Sequence, residues 1–403
     1  FINRSADKST NASRPSGMKK EIRAQGMAIN ANKHTVTNQS GKSRTIIRAG
    51  APAIHGQGKI GLTNLKKKLA DIKNMPPSLQ KEELGKIKGK LKIESKEDLT
   101  LNNLESIVKK RTQLITAQAL PTLLASLEDI AQDPKALQMA QATGSFLHIE
   151  RSNVSDLDPS EAVMMEDMKG AMDELSKNVR IVFSDDAPEK QLQVDKETGQ
   201  ITITLKSPEG QSSPKEGYGL TAVMVNMGIN EKQSTGMVRY GEATRQNEIN
   251  AEAFSTIKEY ADTVQNSDNT SVSSEVKESA GKVSSSLEAV KNKTHYAKDL
   301  ELMDVISDAA SDLHAGLVAR CKSGKDRTSA DTNRTMGRTF SNKETGVTTS
   351  DFKSAMSGGL SYEVTGRNTQ KGRGYAFNSF QAGTMPEEYR VNSEHHASSG
   401  VSS

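Results

Sequence analysis

A chain of 403 residues is long enough to bury a sizeable core and to build more than one structural unit. With 34% hydrophobic and 26% charged residues and a mean hydropathy of -0.63 it is a polar chain, and no apolar run approaches the roughly 20 residues that a membrane-spanning helix needs. One cysteine excludes an internal disulfide and a thiolate metal cage, so the fold stands on packing and suits a reducing environment.

The net charge of +4 is unevenly placed: residues 1–60 hold eleven Lys and Arg against only Asp7 and Glu21. Few apolar residues interrupt that stretch, which predicts a flexible basic arm, with attraction to anionic lipid or nucleic acid as the sharper alternative. From Leu62 the pattern turns helical. Leu62, Leu65, Leu69 and Ile72 share one face, and "PPSLQ" punctuates before a second amphipathic stretch. Leu101, Leu104, Val108 and Ile115 mark a longer helix that Pro121 is expected to kink or end, with Leu123, Leu124, Leu127 and Ile130 continuing the stripe. Asp158-Pro159-Ser160-Glu161 is a helix-start signal, and Met165, Met168, Met172 and Leu175 behind it form a stripe expected in a core.

β structure follows. "VRIVFS" reads as a buried strand, "QLQVDKETGQITITL" as a hairpin, and "YGLTAVMVNMGIN" as a further strand. The serine-rich stretch from about Gln265 to Ser286 is expected to be a flexible surface insertion. Helical spacing returns in "LELMDVISDAASDL", followed by short apolar "GLVARC", a polar loop and a further helix starting near Arg327.

The single thiol sits in that loop. In "CKSGKDR", Cys321 and Arg327 stand in C-x5-R spacing. Cleaving a phosphate ester through cysteine needs a thiolate in line with phosphorus and donors around the non-bridging oxygens. A short loop running from a strand into a helix start aims successive backbone N–H groups inward, and Ser323 and Gly324 permit the tight curvature. The Arg327 guanidinium is a planar fork that grips two phosphate oxygens. Thiolates are favoured at helix starts and beside cations. Asp326 is the candidate acid for the leaving oxygen. Lys322 and Lys325 exceed what a simple monoester needs and point to a ring bearing several phosphates. A nucleotide P-loop fits poorly, because Asp326 occupies its Ser/Thr position and Ala319 the place of its first glycine.

"CKSGKDRTS" resembles the active-site loop of inositol polyphosphate 4-phosphatases and of related bacterial effector phosphatases that act on phosphoinositides. "AVMMEDMKGAMDELSKNVRIVF", "GINEKQS" from Gly228 to Ser234 and "YGEATRQNEINAEAF" through Phe254 are similar to blocks of that family, as are "YAFN" from Tyr375 to Asn378 and Pro386-x-x-Tyr389-Arg390. The likeness spans about residues 145 to 391, and Gly324 matches the bacterial effectors better than the alanine usual in the animal enzymes. It implies Cys321 as nucleophile, Arg327 as phosphate binder and Asp326 as general acid. Lys322, Ser323, Gly324, Lys325 and Thr328 are then substrate-binding residues. It also implies removal of a 4- or 3-phosphate from a phosphoinositide lipid or soluble inositol phosphate, with no metal or cofactor. The expected setting is cytosolic, peripheral to a membrane, and inside a host cell after secretion if the chain is a bacterial effector.

The expected fold is α/β, a cysteine-phosphatase-like catalytic domain with a strand, phosphate loop, helix core, plus an N-terminal α-helical subdomain. Its divisions are a basic arm over 1–60, helices over 61–143, the catalytic domain over 144–392 and a tail over 393–403. Residues 61–143 are also candidates for binding a host protein, and an adaptor without catalysis is the alternative function. "RGYAFNSF" from Arg373 to Phe380 approximates an RNA-recognition strand but has Asn378 where an aliphatic residue belongs and no partner motif, so no nucleic-acid partner is expected. His395 and His396 lack further ligands for a metal, and Arg334 and Arg338 read as a solvated face.

Overall fold

The computed structural model describes residues 32–37, 43–52, 58–93, 97–154, 159–186, 191–195, 197–208, 217–227, 244–290, 300–321, 328, 331, 332 and 335. Two strands come first, β1 (Asn32–Thr37) and β2 (Ser43–Gly50), followed by helices α1 (Leu62–Lys73), α2 (Pro77–Lys90), α3 (Leu101–Ile130) and α4 (Pro134–Thr143). Strand β3 (Ser145–Ser152), helix α5 (Pro159–Asn178) and strands β4 (Val179–Ser184), β5 (Gln191–Val194), β6 (Ile201–Lys206) and β7 (Gly219–Asn226) form the middle of the chain. Helices α6 (Thr244–Gln265), α7 (Ser274–Val290) and α8 (Leu300–Asp312) then lead to β8 (Gly316–Cys321). No helix among the described residues is long and apolar enough to cross a membrane.

The main sheet has the order β1-β2-β8-β3-β7. β2, β8, β3 and β7 run parallel, and β1 is an antiparallel edge strand. Parallel strands need helical crossovers and burial on both faces, and "FLHIERS" in β3 and "GLVARC" in β8 are buried almost throughout. One face carries Leu147, Ile149, Leu317 and Ala319 against Ile257 and Val264 of α6, Val276 and Leu287 of α7 and Ile306 of α8. On the other side Phe146, Leu220 and Met224 pack with Leu123 of α3 and Met165, Met168 and Met172 of α5. The architecture is mixed α/β, as expected. The methionine stripe lies in the core.

Three expectations need correction, and a fourth, that Pro121 would kink or end its helix, is narrowed. Ile46, Ile47, Arg48 and Ala49, inside the stretch read as a flexible basic arm, are buried in β2 beside β8. Strand pairing there satisfies the backbone on both sides, and sparse apolar content does not prevent it. The helices within residues 61–143 are present, yet Leu62, Leu65, Leu104 and Ile115 share one continuous core with the methionines of α5 and the sheet. Pro121 does not end α3, which runs on to Ile130 with Leu120, Thr122 and Leu123 buried around it. Tertiary burial outweighs the cost of about 3 kcal/mol that a helix-interior proline carries. Finally, most of the serine-rich stretch is α7, where Val276, Ala280, Val283 and Leu287 recur at helical spacing and are buried.

Local chemistry sets the remaining joints. Gly61 precedes α1 and offers no side-chain cap. Two consecutive acids of α5 serve instead: Glu166 accepts from the Gly61 N–H at 2.8 Å and Asp167 from the Leu62 N–H at 2.8 Å. Asp167 also receives the buried Arg111 guanidinium of α3 at 2.9 and 3.0 Å, so three helices meet at one carboxylate. α4 starts on Asp133, which accepts from the Lys135 N–H, and stops at Gly144 with φ 75°. β5 and β6 pair antiparallel as the expected hairpin, and β4 joins β6 in parallel as a small second sheet in the order β4-β6-β5. Tyr218 ties it to the main sheet through paired backbone bonds with Ile181 at 2.7 Å.

Candidate active site

Because β2, β8, β3 and β7 are parallel, their last residues Gly50, Cys321, Ser152 and Asn226 lie along one edge of the sheet. Ligands of open α/β sheets are held at such carboxyl-terminal edges. Cys321 is the final residue of β8, lies in register with Gly50 and is 2% exposed. The Ala51 N–H donates to the Cys321 carbonyl at 3.0 Å from one side, and the Asn153 N–H donates to the Arg320 carbonyl at 2.7 Å from the other. The peptides leading into the C-x5-R segment are therefore clamped by both neighbouring strands.

Of the other expected site residues, Lys322, Ser323, Gly324, Lys325, Asp326 and Arg327 lie outside the described residues. So do "GINEKQS", "YAFN", Pro386-x-x-Tyr389-Arg390, "RGYAFNSF", Arg334, Arg338 and the histidine pair. Thr328 is helical and buried, and its hydroxyl finds no hydrogen-bond partner among the described residues. Asp331, Thr332 and Thr335 are likewise helical and buried. With Thr328 they stand at i, i+3, i+4 and i+7, the inward face of a helical turn after the loop.

That face is pinned to the sheet by a buried ion pair. The Arg151 guanidinium near the end of β3 donates through Nε to Asp331 Oδ2 at 2.9 Å and reaches Asp331 Oδ1 from Nη2 at 2.7 Å. It also donates to the hydroxyls of Thr335 and of Ser307 on α8, while Asn153 Nδ2 donates to Asp331 Oδ2 at 2.9 Å. A bidentate pair with both partners fully buried fixes orientation as well as distance. It secures the far end of the segment whose near end is Cys321. Sequence reasoning missed Arg151, Asn153 and Asp331. The only signal was charge in "HIERSN", a run otherwise patterned as a buried strand.

Alternation along the strands separates two polar clusters. Arg48, Arg151 and Cys321 belong to the face covered by α6 to α8, since Arg48 and Arg151 both stand opposite Ala319. Arg320 points to the α3 side. It contacts Glu150, donates to the Thr122 hydroxyl, and donates to the Gly50 carbonyl at 2.8 Å. Burial lowers its pKa from the usual arginine range to about 9, which leaves a cation at neutral pH. His148 lies 3.3 Å from Glu150 and 3.4 Å from the Ser126 hydroxyl. Burial, seconded by the Arg320 charge, lowers its pKa from 6.5 to about 3. Glu150 alone would favour the imidazolium, but its charge is already matched by Arg320, so the ring is held neutral.

A histidine whose folded pKa lies below its unfolded value stabilises the fold above the unfolded pKa, and that contribution is lost as pH falls from 6.5 toward 3. Between pH 7.5 and pH 5, His148 is expected to withdraw about 2 kcal/mol of stability. Urea unfolding at the two pH values should show that loss, reduced in His148→Gln. Equal pH dependence in the two proteins would contradict a buried neutral imidazole.

At the far strand end, Asn226 is bound on every side. Its N–H donates to Asn250 Oδ1 at 2.8 Å, its carbonyl accepts from Asn250 Nδ2 at 2.8 Å, and its amide donates to Gln246 Oε1 at 2.6 Å and the Val154 carbonyl at 3.0 Å. The asparagine-rich block thus joins α6 to the strand edge as structural support. No metal-holding group of His, Cys, Asp and Glu occurs among the described residues.

Against known families, the one described as the INPP4A C-terminal domain matches residues 106–389, more than half of the chain. The matched span opens inside α3 and includes β3, β8, Cys321 and the whole C-x5-R segment, while β1, β2, α1 and α2 precede it. No curated protein matches the chain.

Proposed function

The chain belongs to the INPP4A C-terminal domain family, and on that footing we propose that it is a phosphoinositide phosphatase working through a cysteinyl-phosphate intermediate. The observation that carries the reading is the position of Cys321, the first residue of C-x5-R and the last residue of a parallel strand flanked on both sides. A strand that passes through a short loop into a helix start is the order of elements from which a phosphate cradle is built.

The proposed course has two steps. The Cys321 thiolate attacks phosphorus, the bond from phosphorus to the inositol oxygen breaks, and Asp326 gives its proton to that oxygen. Water then attacks the phosphocysteine, releasing inorganic phosphate and restoring the thiolate. Arg327 holds two of the non-bridging oxygens as their charge shifts, and the spare Thr328 hydroxyl is a further donor beside them. Lys322 and Lys325 neutralise neighbouring ring phosphates, which favours polyphosphorylated inositol over a simple monoester. The chemistry needs no metal. The family resemblance and the basic N-terminal stretch extend the proposal to a bacterial effector acting at the cytosolic face of a host membrane.

Phosphate release from a panel of phosphoinositide vesicles and soluble inositol phosphates tests the reading. Turnover of polyphosphorylated inositols, well above that of an aryl monophosphate, is expected. No release from any member would overturn it and leave the adaptor.

A further inference from the structure

The family match begins at residue 106, yet the strand on one side of β8 comes from residues 43–50. We infer that the Gly50–Ala51 peptide, N-terminal to the family region, is a positioning element of the cysteine site. The inference rests on the phosphatase reading for its kinetic consequence and on geometry for the rest.

Two bonds and a strand register carry it. The Ala51 N–H donates to the Cys321 carbonyl at 3.0 Å, orienting the peptide that joins Cys321 to Lys322. That peptide is the first of the loop. The Gly50 carbonyl accepts from Arg320 at 2.8 Å, and Arg320 in turn contacts Glu150 of β3 and Thr122 of α3. The register Ile47↔Val318, Arg48↔Ala319, Ala49↔Arg320 and Gly50↔Cys321 holds β2 against the last four residues of β8. Without β2, β8 would be an edge strand with its backbone groups unpaired on that side, and the Cys321 carbonyl would lose its donor. A nucleophile must approach phosphorus in line, and small displacements of such a group cost large factors in rate. The arrangement makes the N-terminal strand a working part of the site.

Ala51→Pro removes the donor and sets the ring carbon against the Cys321 carbonyl that the N–H held, so it breaks this contact outright, while the preceding residue is already extended in a strand. Ala51→Gly keeps the N–H and serves as the conservative control. In the full-length protein, Ala51→Pro is expected to lower kcat on phosphoinositide vesicles about 10- to 100-fold with KM within about twofold, while Ala51→Gly stays near wild type. A second readout does not depend on turnover. Cys321 is the only thiol of the chain, so its alkylation by iodoacetamide reports the loop directly, and Ala51→Pro should change that rate about tenfold or more.

Wild-type kcat and wild-type alkylation in Ala51→Pro would overturn the inference. A wild-type protein that releases no phosphate would sink the phosphatase reading, and the alkylation comparison would then decide the inference alone. Should Ala51→Pro lack a cooperative melting transition, hydrogen exchange of the wild-type Ala51 amide decides instead. Orthovanadate, as a phosphate mimic, should slow that exchange, and an unprotected amide indifferent to vanadate would overturn the assignment.

Discussion

Cys321→Ser is expected to lower phosphate release from polyphosphorylated inositols by about 10⁴-fold or more while leaving the unfolding midpoint nearly unchanged. The chain holds no second thiol to take over, and a serine hydroxyl is not ionised at neutral pH. The exchange is close to isosteric, and Cys321 stands at the end of its strand with its own carbonyl bonded to Ala51 and the preceding Arg320 carbonyl bonded to Asn153, so the fold should not register it. Equal turnover in variant and wild type would remove cysteine from the mechanism. Reduced turnover that merely followed a loss of folded protein would show Cys321 to be a packing residue.

Arg151→Ala is expected to cost about 3 to 5 kcal/mol of stability, because it strands the Asp331 carboxylate in a site with no solvent. Turnover should fall further than folding alone explains, since the pair fixes the segment after the loop. The double variant Arg151→Met with Asp331→Leu separates the two effects. Replacing both charges with apolar groups should recover much of the stability, as such exchanges of buried pairs commonly do. The lost bonds from Asn153, Ser307 and Thr335 should keep kcat low. Urea unfolding and steady-state kinetics on the same preparations read both quantities. A single variant within about 1 kcal/mol of wild type would show the pair to be incidental.

What could be read from the sequence was what local pattern and local chemistry decide. Leu62, Leu65 and Ile72 announced a helix and Met165, Met168 and Met172 a core stripe, because 3.6-residue spacing needs no knowledge of the partner surface. The hairpin of β5 and β6 was legible for the same reason, its turn lying between its own two strands. β2 was not. "TIIRAG" is short, sits in a basic stretch, and becomes a strand only by pairing with residues some 270 positions later in the chain. The serine-rich stretch misled through composition, although Val276, Ala280, Val283 and Leu287 already carried helical periodicity.

The candidate site divides in the same way. Cys321 and the C-x5-R spacing were visible because they lie within seven consecutive residues of the chain. The Arg151–Asp331 pair, spanning residues 180 apart, and the Glu150–Arg320 contact were invisible because tertiary folding brings them together. Buried charge within the strand run "HIERS" was the residual clue, since a charge placed in a parallel strand must find a partner.

The account turns on a covalent bond between phosphorus and Cys321. Rapid quenching of the full-length protein during turnover of a labelled polyphosphorylated inositol, followed by mapping of the labelled peptide, measures it directly. Label on the peptide containing Cys321, formed within one turnover and absent in Cys321→Ser, is the predicted result. Steady phosphate release with no phosphate on Cys321 would contradict it.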